Sequence, residues 1–171
     1  MLARNKLIVK WSLYGAAALA CLLVQGALLQ RITVWGVIPF LYPLLAAIPA
    51  TRESPAAGAA FALCVGVVCD LLLPGAVPCL YTLVFPLAGL CAGLLAQSVL
   101  PAGYLCSLAG TAAAFLLLDG VRCLLFWAGG QPVWQAGAWL MVREFCVTAP
   151  LILPVTALFR AVAQWIRRSY D

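Results

Sequence analysis

The sequence predicts an all-α integral membrane protein of about six transmembrane helices, with residues 1–171 forming a single multi-pass domain. Of its 171 residues, 66% are hydrophobic and only 9% are charged, and the mean hydropathy is +1.10. A water-soluble domain of this size needs far more charged surface. Apolar runs of about 20 residues also follow one another, separated by short polar or Pro/Gly-containing stretches. The chain is therefore expected to lie almost entirely in the lipid bilayer.

The first two predicted spans cover residues 11–29 and 32–50. Three basic residues precede the first span: Arg4, Lys6 and Lys10. This span is long and has no Ala-x-Ala-like cleavage site, so we interpret it as an uncleaved helix. The second span contains three prolines, Pro39, Pro43 and Pro49. Each proline removes a backbone hydrogen-bond donor, which predicts a kinked or broken helix.

The third span, residues 55–73, is the segment around which we expect the other helices to be arranged. Small residues recur at every fourth position and lead to an acid, in the order Gly58, Ala62, Gly66 and Asp70. Such a stripe allows a neighbouring helix to approach closely and to meet the carboxylate. Ser54 and Pro55 predict the start of the helix, and Pro74-Gly75 predicts its end.

Asp70 needs an interaction that offsets its position among apolar residues. An acid at the centre of a membrane helix costs roughly 2.5 to 3.5 kcal/mol on insertion scales. Three roles are open for this carboxylate: an interfacial or structurally hydrogen-bonded group, a contact with a partner protein, and a ligand or proton site.

The fourth span, residues 77–96, carries Gly89 and Gly93 in a GxxxG pattern. Small residues at this spacing let two membrane helices pack closely. We therefore expect the third and fourth spans to be neighbours.

The last two spans, residues 103–127 and 138–159, hold most of the remaining membrane charges. Asp119 and Arg122 are three residues apart on the fifth span, which places them close enough to pair. In the alternative arrangement, Arg122 reaches the lipid headgroups and Asp119 pairs with Arg143 of the sixth span. Glu144 is adjacent to Arg143.

An even number of spans and basic chain ends predict that both termini are cytoplasmic. At a rise of about 1.5 Å per residue, the five membrane charges each lie roughly 6 to 10 Å from the midplane of their helix. All five are displaced toward the extracytoplasmic side: Asp70, Asp119, Arg122, Arg143 and Glu144. Their formal charge sums to minus one, so a partner or a proton would complete the set.

The sequence gives little support for catalysis, for a cofactor or metal, or for nucleic-acid binding. The basic residues flank apolar spans at the chain ends, which is typical of a topology signal. The chain has no histidine, and its eight cysteines show no C-x-x-C pair. We interpret the cysteines as small buried apolar residues. No nucleophile motif or P-loop is present either, so the chain is not expected to be an enzyme.

Residues 58–95, GAAFALCVGVVCDLLLPGAVPCLYTLVFPLAGLCAGLL, resemble the signature region of the rod shape-determining protein MreD family. In that family a Gly-rich helix ends in a G-L-x-x-D-L-L-like motif and is followed by a turn containing Pro and Gly. The corresponding residues here are Gly66-Val67-Val68-Cys69-Asp70-Leu71-Leu72. Leu29-Gln30 and Gly36-Val37-Ile38-Pro39 are also similar to the family. Phe40 differs, because the family often has a polar residue after that proline.

The resemblance implies a non-enzymatic scaffold of the bacterial cell-elongation machinery in the cytoplasmic (inner) membrane. Its implied partners are an MreC-like bitopic protein, a RodA-type glycosyltransferase, a penicillin-binding transpeptidase and, indirectly, MreB. The resemblance also implies the fold of the S subunits of energy-coupling-factor transporters. The main alternative function is therefore a solute-binding S subunit, which would dock through Ala16 and Ala20 to a coupling subunit. A small membrane chaperone or stability subunit is a third possibility.

Overall fold

The computed structural model describes residues 2–73, 77–101, 103–130 and 134–170, without the side chains of residues 2–6, 134, 167, 169 and 170. The helices, in chain order, are α1 (Leu2–Ala27), α2 (Tyr42–Ala50), α3 (Pro55–Leu72), α4 (Leu80–Ser98), α5 (Tyr104–Ala128) and α6 (Trp134–Tyr170), with a 3₁₀ turn at Leu29–Arg31.

Within the described residues, five segments are long and apolar enough to cross a membrane: Leu7–Arg31, Pro55–Leu72, Leu80–Ser98, Tyr104–Ala128 and Gln135–Ile166. The described residues form no strand beyond an isolated bridge between Val34 and Val37. The prediction of an all-α, multi-pass membrane protein is therefore confirmed at this level.

The second predicted span is not a full helix. Only its last nine residues, Tyr42–Ala50, are helical, and all nine are buried. Pro43 lies in the first turn of α2, where its missing N–H is tolerated. Residues 32–41 before it are not part of a helix and include the tight Val34–Val37 turn, in which Trp35 and Gly36 have positive φ angles.

Side chains from two other helices satisfy the non-helical backbone before α2. The buried Gln25 of α1 donates from Nε2 to the carbonyl of Pro39 at 2.9 Å and accepts from the amide of Leu41 at 3.0 Å. The amide of Phe40 donates to Oγ1 of Thr148 on α6 at 2.9 Å. Irregular backbone at membrane depth is stable only where protein groups replace the missing helical hydrogen bonds, and these two side chains do so.

The small residues of α3 and α4 form a close helix contact. A Cβ atom added to Gly66 would lie 2.6 Å from the carbonyl oxygen of Tyr81, and one added to Gly93 would lie 2.8 Å from Cα of Pro55. At Gly89 it would lie 2.9 Å from Cβ of Ala62, which is fully buried. Gly58 instead faces the end of α2, 2.6 Å from Cβ of Ala50. The backbones therefore meet with no room for side chains.

The bounds of α3 follow its sequence signals. The side chain of Ser54 accepts a hydrogen bond from the amide of Ala57, and Pro55 is the first helical residue. The helix ends at Leu72. Pro74 and Gly75, the predicted stop, lie outside the described residues, as do Gln131 and Pro132 between the fifth and sixth predicted spans.

Two helices are longer than their predicted spans. α1 begins at Leu2 and α6 ends at Tyr170, whereas hydropathy placed these limits at residues 11 and 159. A helix satisfies its own backbone in water as well as in lipid. The basic segments at the chain ends therefore continue the helices beyond the apolar runs.

The chain returns to its starting end between α1 and α3. Nζ of Lys10, near the start of α1, lies 2.5 Å from Oε2 of Glu53, which follows α2. Arg160 of α6 lines the same cavity as Lys10 and Glu53. We call this end of the molecule the chain-end face and the other end the opposite face. The five predicted membrane charges lie toward the opposite face, whereas the packing residues Gly58 and Gly93 lie near Ala50 and Pro55 at the chain-end face.

Candidate functional site

Asp70 is bound to the first turn of α4. Its Oδ1 accepts from the amide of Tyr81 at 3.2 Å, while Oδ2 accepts from the amide and hydroxyl of Thr82 at 2.8 and 2.5 Å. The first amides of a helix have no partner within it, and a carboxylate there is favoured by the helix dipole. Cys79, which precedes α4, provides no side-chain cap. Asp70 thus caps α4 from the end of α3.

Asp119 and Arg122 form the ion pair that their spacing predicts. Nη1 of Arg122 lies 3.1 Å from Oδ1 of Asp119, and Nη2 donates to the hydroxyl of Tyr81 at 2.7 Å. The guanidinium also lies 5.6 Å from the ring centroids of both Phe40 and Tyr81. Tyr81 therefore links the two acids. Its amide donates to Asp70, and its hydroxyl accepts from Arg122, which pairs with Asp119. We call Asp70, Tyr81, Asp119 and Arg122 the charged cluster.

Asp119 retains an unused acceptor that adjoins a cavity. The residue is only 8% exposed, and its Oδ2 has no hydrogen-bond partner among the residues that the structure describes. A cavity of about 210 Å³ between α5 and α6 is lined by Asp119 and Arg122. Its remaining lining is mostly apolar: Cys123, Phe126, Ala136, Gly137 and Leu140. A buried carboxylate oxygen without a donor is costly, so a donor group entering this cavity would be bound favourably.

The other two predicted charges occupy different positions. Glu144 on α6 is half-buried and close enough to Asp119 and Arg122 to interact electrostatically with both. Arg143 does not pair with Asp119, which was the alternative arrangement. Its guanidinium lies 5.3 Å from the ring centroid of Trp139, and it lines a separate groove of about 520 Å³ with Trp35 and Cys146. Four of the five charges therefore lie together and Arg143 lies apart.

Sequence reasoning missed the residues that connect the cluster. Tyr81 resembles an ordinary interfacial aromatic residue, although its position just after a turn, next to Thr82, indicates the start of a helix that an acid can cap. Phe40, noted as a departure from the MreD pattern, places its ring against Arg122. This position therefore contributes an aromatic ring to the cluster instead of a polar group.

The cysteines are all unpaired, but they are not all buried. Cys21, Cys69 and Cys106 are buried as expected, whereas three others are exposed: Cys64, Cys79 and Cys146. The interpretation was wrong for these three, because a thiol is apolar enough to lie on the surface of an apolar helix, as at Cys64 and Cys146, or at a helix start, as at Cys79, without being shielded. Among the described residues, no three His, Cys, Asp or Glu side chains are placed to hold a metal ion.

No family model, curated protein or solved structure matched the chain. Its function is therefore inferred from its own residues and their arrangement.

Proposed function

We propose that this chain is a non-enzymatic scaffold of the bacterial cell-elongation machinery. It would lie in the cytoplasmic membrane and support cell shape and lateral peptidoglycan synthesis through an MreC-like bitopic protein, a RodA-type glycosyltransferase and a penicillin-binding transpeptidase, with MreB acting indirectly. The resemblance of Gly66-Val67-Val68-Cys69-Asp70-Leu71-Leu72 to the MreD signature supports this proposal. In the structure this motif supplies both a close packing position, Gly66, and the cap of α4.

The unpartnered oxygen of Asp119 is the observation on which the proposed docking site depends. It lies at a cavity of about 210 Å³ near the opposite face, whereas pockets for drug-sized ligands typically span roughly 300 to 1,000 Å³. The smaller volume suits one or two side chains of a partner helix that bring a hydroxyl or a cation to Asp119. Intramembrane polar contacts of this kind hold membrane helices together.

The proposed topology has six crossings with both termini in the cytoplasm. The five long helices supply five crossings, and residues 32–50 supply the sixth as an extended segment followed by α2. The contact between Lys10 and Glu53 supports this return. The basic residues of the chain-end face support its cytoplasmic side.

A solute-binding S subunit of an energy-coupling-factor transporter is the second candidate. The groove of about 520 Å³ beside Trp35, Trp139 and Arg143 falls within the range of small-molecule sites. Ala16 and Ala20, the expected docking residues, are exposed on α1. Under this function the groove would hold the solute and α1 would contact the coupling subunit.

Site-specific photocrosslinking in cells tests the scaffold and separates it from the transporter. A photoreactive amino acid at Leu140, which lines the Asp119 cavity, should capture a bitopic protein of the elongation machinery. The matched control is Leu83, which is 69% exposed near the start of α4 and should capture that protein much less. Equal capture at both positions would contradict docking at the cavity. Capture of a transporter coupling subunit at Ala16 would support the second function instead.

A further inference from the structure

The chain-end face contains a second polar cavity, separate from the charged cluster. It has a volume of about 400 Å³ and lies between α1, the α2–α3 loop and α6. Its lining is unusually rich in charge and hydrogen-bonding groups: Lys10, Tyr14, Arg52, Glu53, Arg160 and Gln164, with Ala163 and Ile166. A packing defect between membrane helices would be lined by apolar side chains.

The cavity holds more positive charge than its single acid balances. Glu53 uses both carboxylate oxygens, because Oε2 lies 2.5 Å from Nζ of Lys10 and Oε1 accepts from the hydroxyl of Tyr14 at 3.2 Å. Arg52 and Arg160 have no carboxylate partner among the described side chains. Three cations and one anion leave a formal charge of plus two in the cavity.

Arg52 shows the consequence of this imbalance most clearly. Its Nε is buried and has no acceptor among the described residues. Burial lowers the pKa of this guanidinium, and the charge of Arg160 lowers it further. A guanidinium is nevertheless charged under all ordinary conditions. An anion that accepts from Arg52 and Arg160 would remove both the repulsion and the unsatisfied donor.

We propose that this cavity binds an anionic phosphate group. Phosphate oxygens match the planar donors of guanidinium groups, and the two free arginines supply those donors at one cavity. A membrane phospholipid is the source that the surroundings favour, since Leu7 and Ile8 of α1 are each 56% exposed beside Lys10 and can contact an acyl chain. Basic pockets between membrane helices bind anionic headgroups in this way. Free phosphate is the other source of the same chemistry.

Binding of defined lipids to the purified full-length protein in detergent tests this proposal. Native mass spectrometry would compare phosphatidylglycerol with phosphatidylcholine, whose choline cation the cavity should repel. We expect phosphatidylglycerol to bind at least roughly tenfold tighter, because its net negative charge offsets the positive charge of the cavity, whereas phosphatidylcholine is zwitterionic. The double variant R52Q/R160Q should lose this preference. The matched control R143Q removes an arginine at the opposite face and should keep it.

The outcomes distinguish the cavity, the source and the variant's folding. Equal binding of the two lipids by the wild type, or an unchanged preference in R52Q/R160Q, would overturn the proposal. If inorganic phosphate protects the wild type from thermal unfolding and abolishes lipid binding, the site takes soluble anions. If the double variant fails to fold, the single variant R160Q replaces it in the test, because Arg160 is exposed. R160Q should then lower the preference for phosphatidylglycerol, and R160K should restore it. These results are independent of partner docking at Asp119.

Discussion

At the scale of single residues, Asp70 illustrates how an intramembrane acid is stabilised by a neighbouring helix. Both its oxygens accept hydrogen bonds from the first turn of α4. This is the structurally hydrogen-bonded role among the three that the sequence left open. Contact between Asp70 and a partner protein remains a prediction, and it would have to coexist with these internal bonds.

Replacing Asp70 tests the capping role directly. Asp70→Ala should lower the free energy of unfolding by about 1 to 3 kcal/mol, because the amides of Tyr81 and Thr82 lose their acceptor. Asp70→Asn should lose part of this stability, since an amide offers one acceptor oxygen instead of two. The measurement is equilibrium unfolding in a mild detergent. Glu144→Gln is the control, since Glu144 accepts no hydrogen bond among the described residues. Wild-type stability of Asp70→Ala would show that the cap contributes nothing.

The pair of Asp119 and Arg122 gives a second prediction at this scale. Arg122→Leu leaves the buried Asp119 without its cation and should destabilise by roughly 3 to 5 kcal/mol, whereas removing both charges should cost much less. Folded yield and unfolding of both singles and the double variant measure the coupling. Arg143→Leu combined with Asp119→Leu is the control cycle. Because Arg143 lies against Trp139, that cycle should be additive, and additivity in the first cycle would refute the pair.

At the scale of helices, the α3–α4 contact depends on residues that have no side chain. The carbonyl of Tyr81 occupies the space that a Cβ of Gly66 would need, and Tyr81 belongs to the same turn that Asp70 caps. Packing and capping are therefore parts of one contact. A substitution at Gly66 should displace the start of α4 and weaken the hydrogen bonds of Asp70.

Gly66→Ala is accordingly expected to be destabilising, while alanine at a second glycine is not. Overpacking in a close contact costs typically 1 to 3 kcal/mol. Gly120 in α5 is the matched control, because nothing lies within 4 Å of its added Cβ. There alanine should stabilise the helix by roughly 0.5 to 1 kcal/mol. Thermal unfolding in the same detergent measures the stability change of both variants. Equal changes would show that helix propensity alone determines the effect of alanine at these two glycines.

Much of the helix arrangement could be predicted from the sequence, because helix starts and contact faces depend on residues that are close together in the chain. Ser54-Pro55 marks the start of α3, and small residues at every fourth position mark its contact face. The form of residues 32–50 could not be predicted in the same way. Its backbone is satisfied by Gln25 and Thr148, which are 14 and 108 residues away from their partners. Only the tertiary structure shows which side chains replace the helical hydrogen bonds that Pro39, Phe40 and Leu41 lack.

At the scale of the whole molecule, the two cavities that charged residues line lie at opposite ends. The charged cluster lies toward the opposite face, whereas Lys10, Arg52 and Arg160 line the chain-end face. The sequence predicted this separation from the positions of charges along the spans. It did not predict the cavities themselves, because the chain-end cavity combines α1, the α2–α3 loop and α6, and the Asp119 cavity depends on how α5 and α6 pack together. The proposed topology assigns the chain-end face to the cytoplasm, and this assignment can be tested.

Accessibility of single cysteines in a cysteine-free background tests the six crossings and their orientation. Trp35 is 72% exposed at the tight turn before α2, and Ser54 is exposed after α2. If residues 32–50 cross the membrane, Trp35→Cys should react with a membrane-impermeant thiol reagent in intact cells, whereas Ser54→Cys should react only after lysis. Arg168→Cys near the end of α6 should behave like Ser54→Cys.

The same experiment separates the ways in which this topology can fail. Reaction of both Trp35→Cys and Ser54→Cys in intact cells would mean that residues 32–50 do not cross, which leaves five crossings and places Arg168 on the extracytoplasmic side. Reaction of Ser54→Cys and Arg168→Cys without Trp35→Cys would keep six crossings but reverse the orientation. The cavity of Arg52 and Arg160 would then face the outside, and its anionic group would come from the outer leaflet. Labelling of Trp35→Cys alone is the result that the structure and the basic chain ends jointly predict.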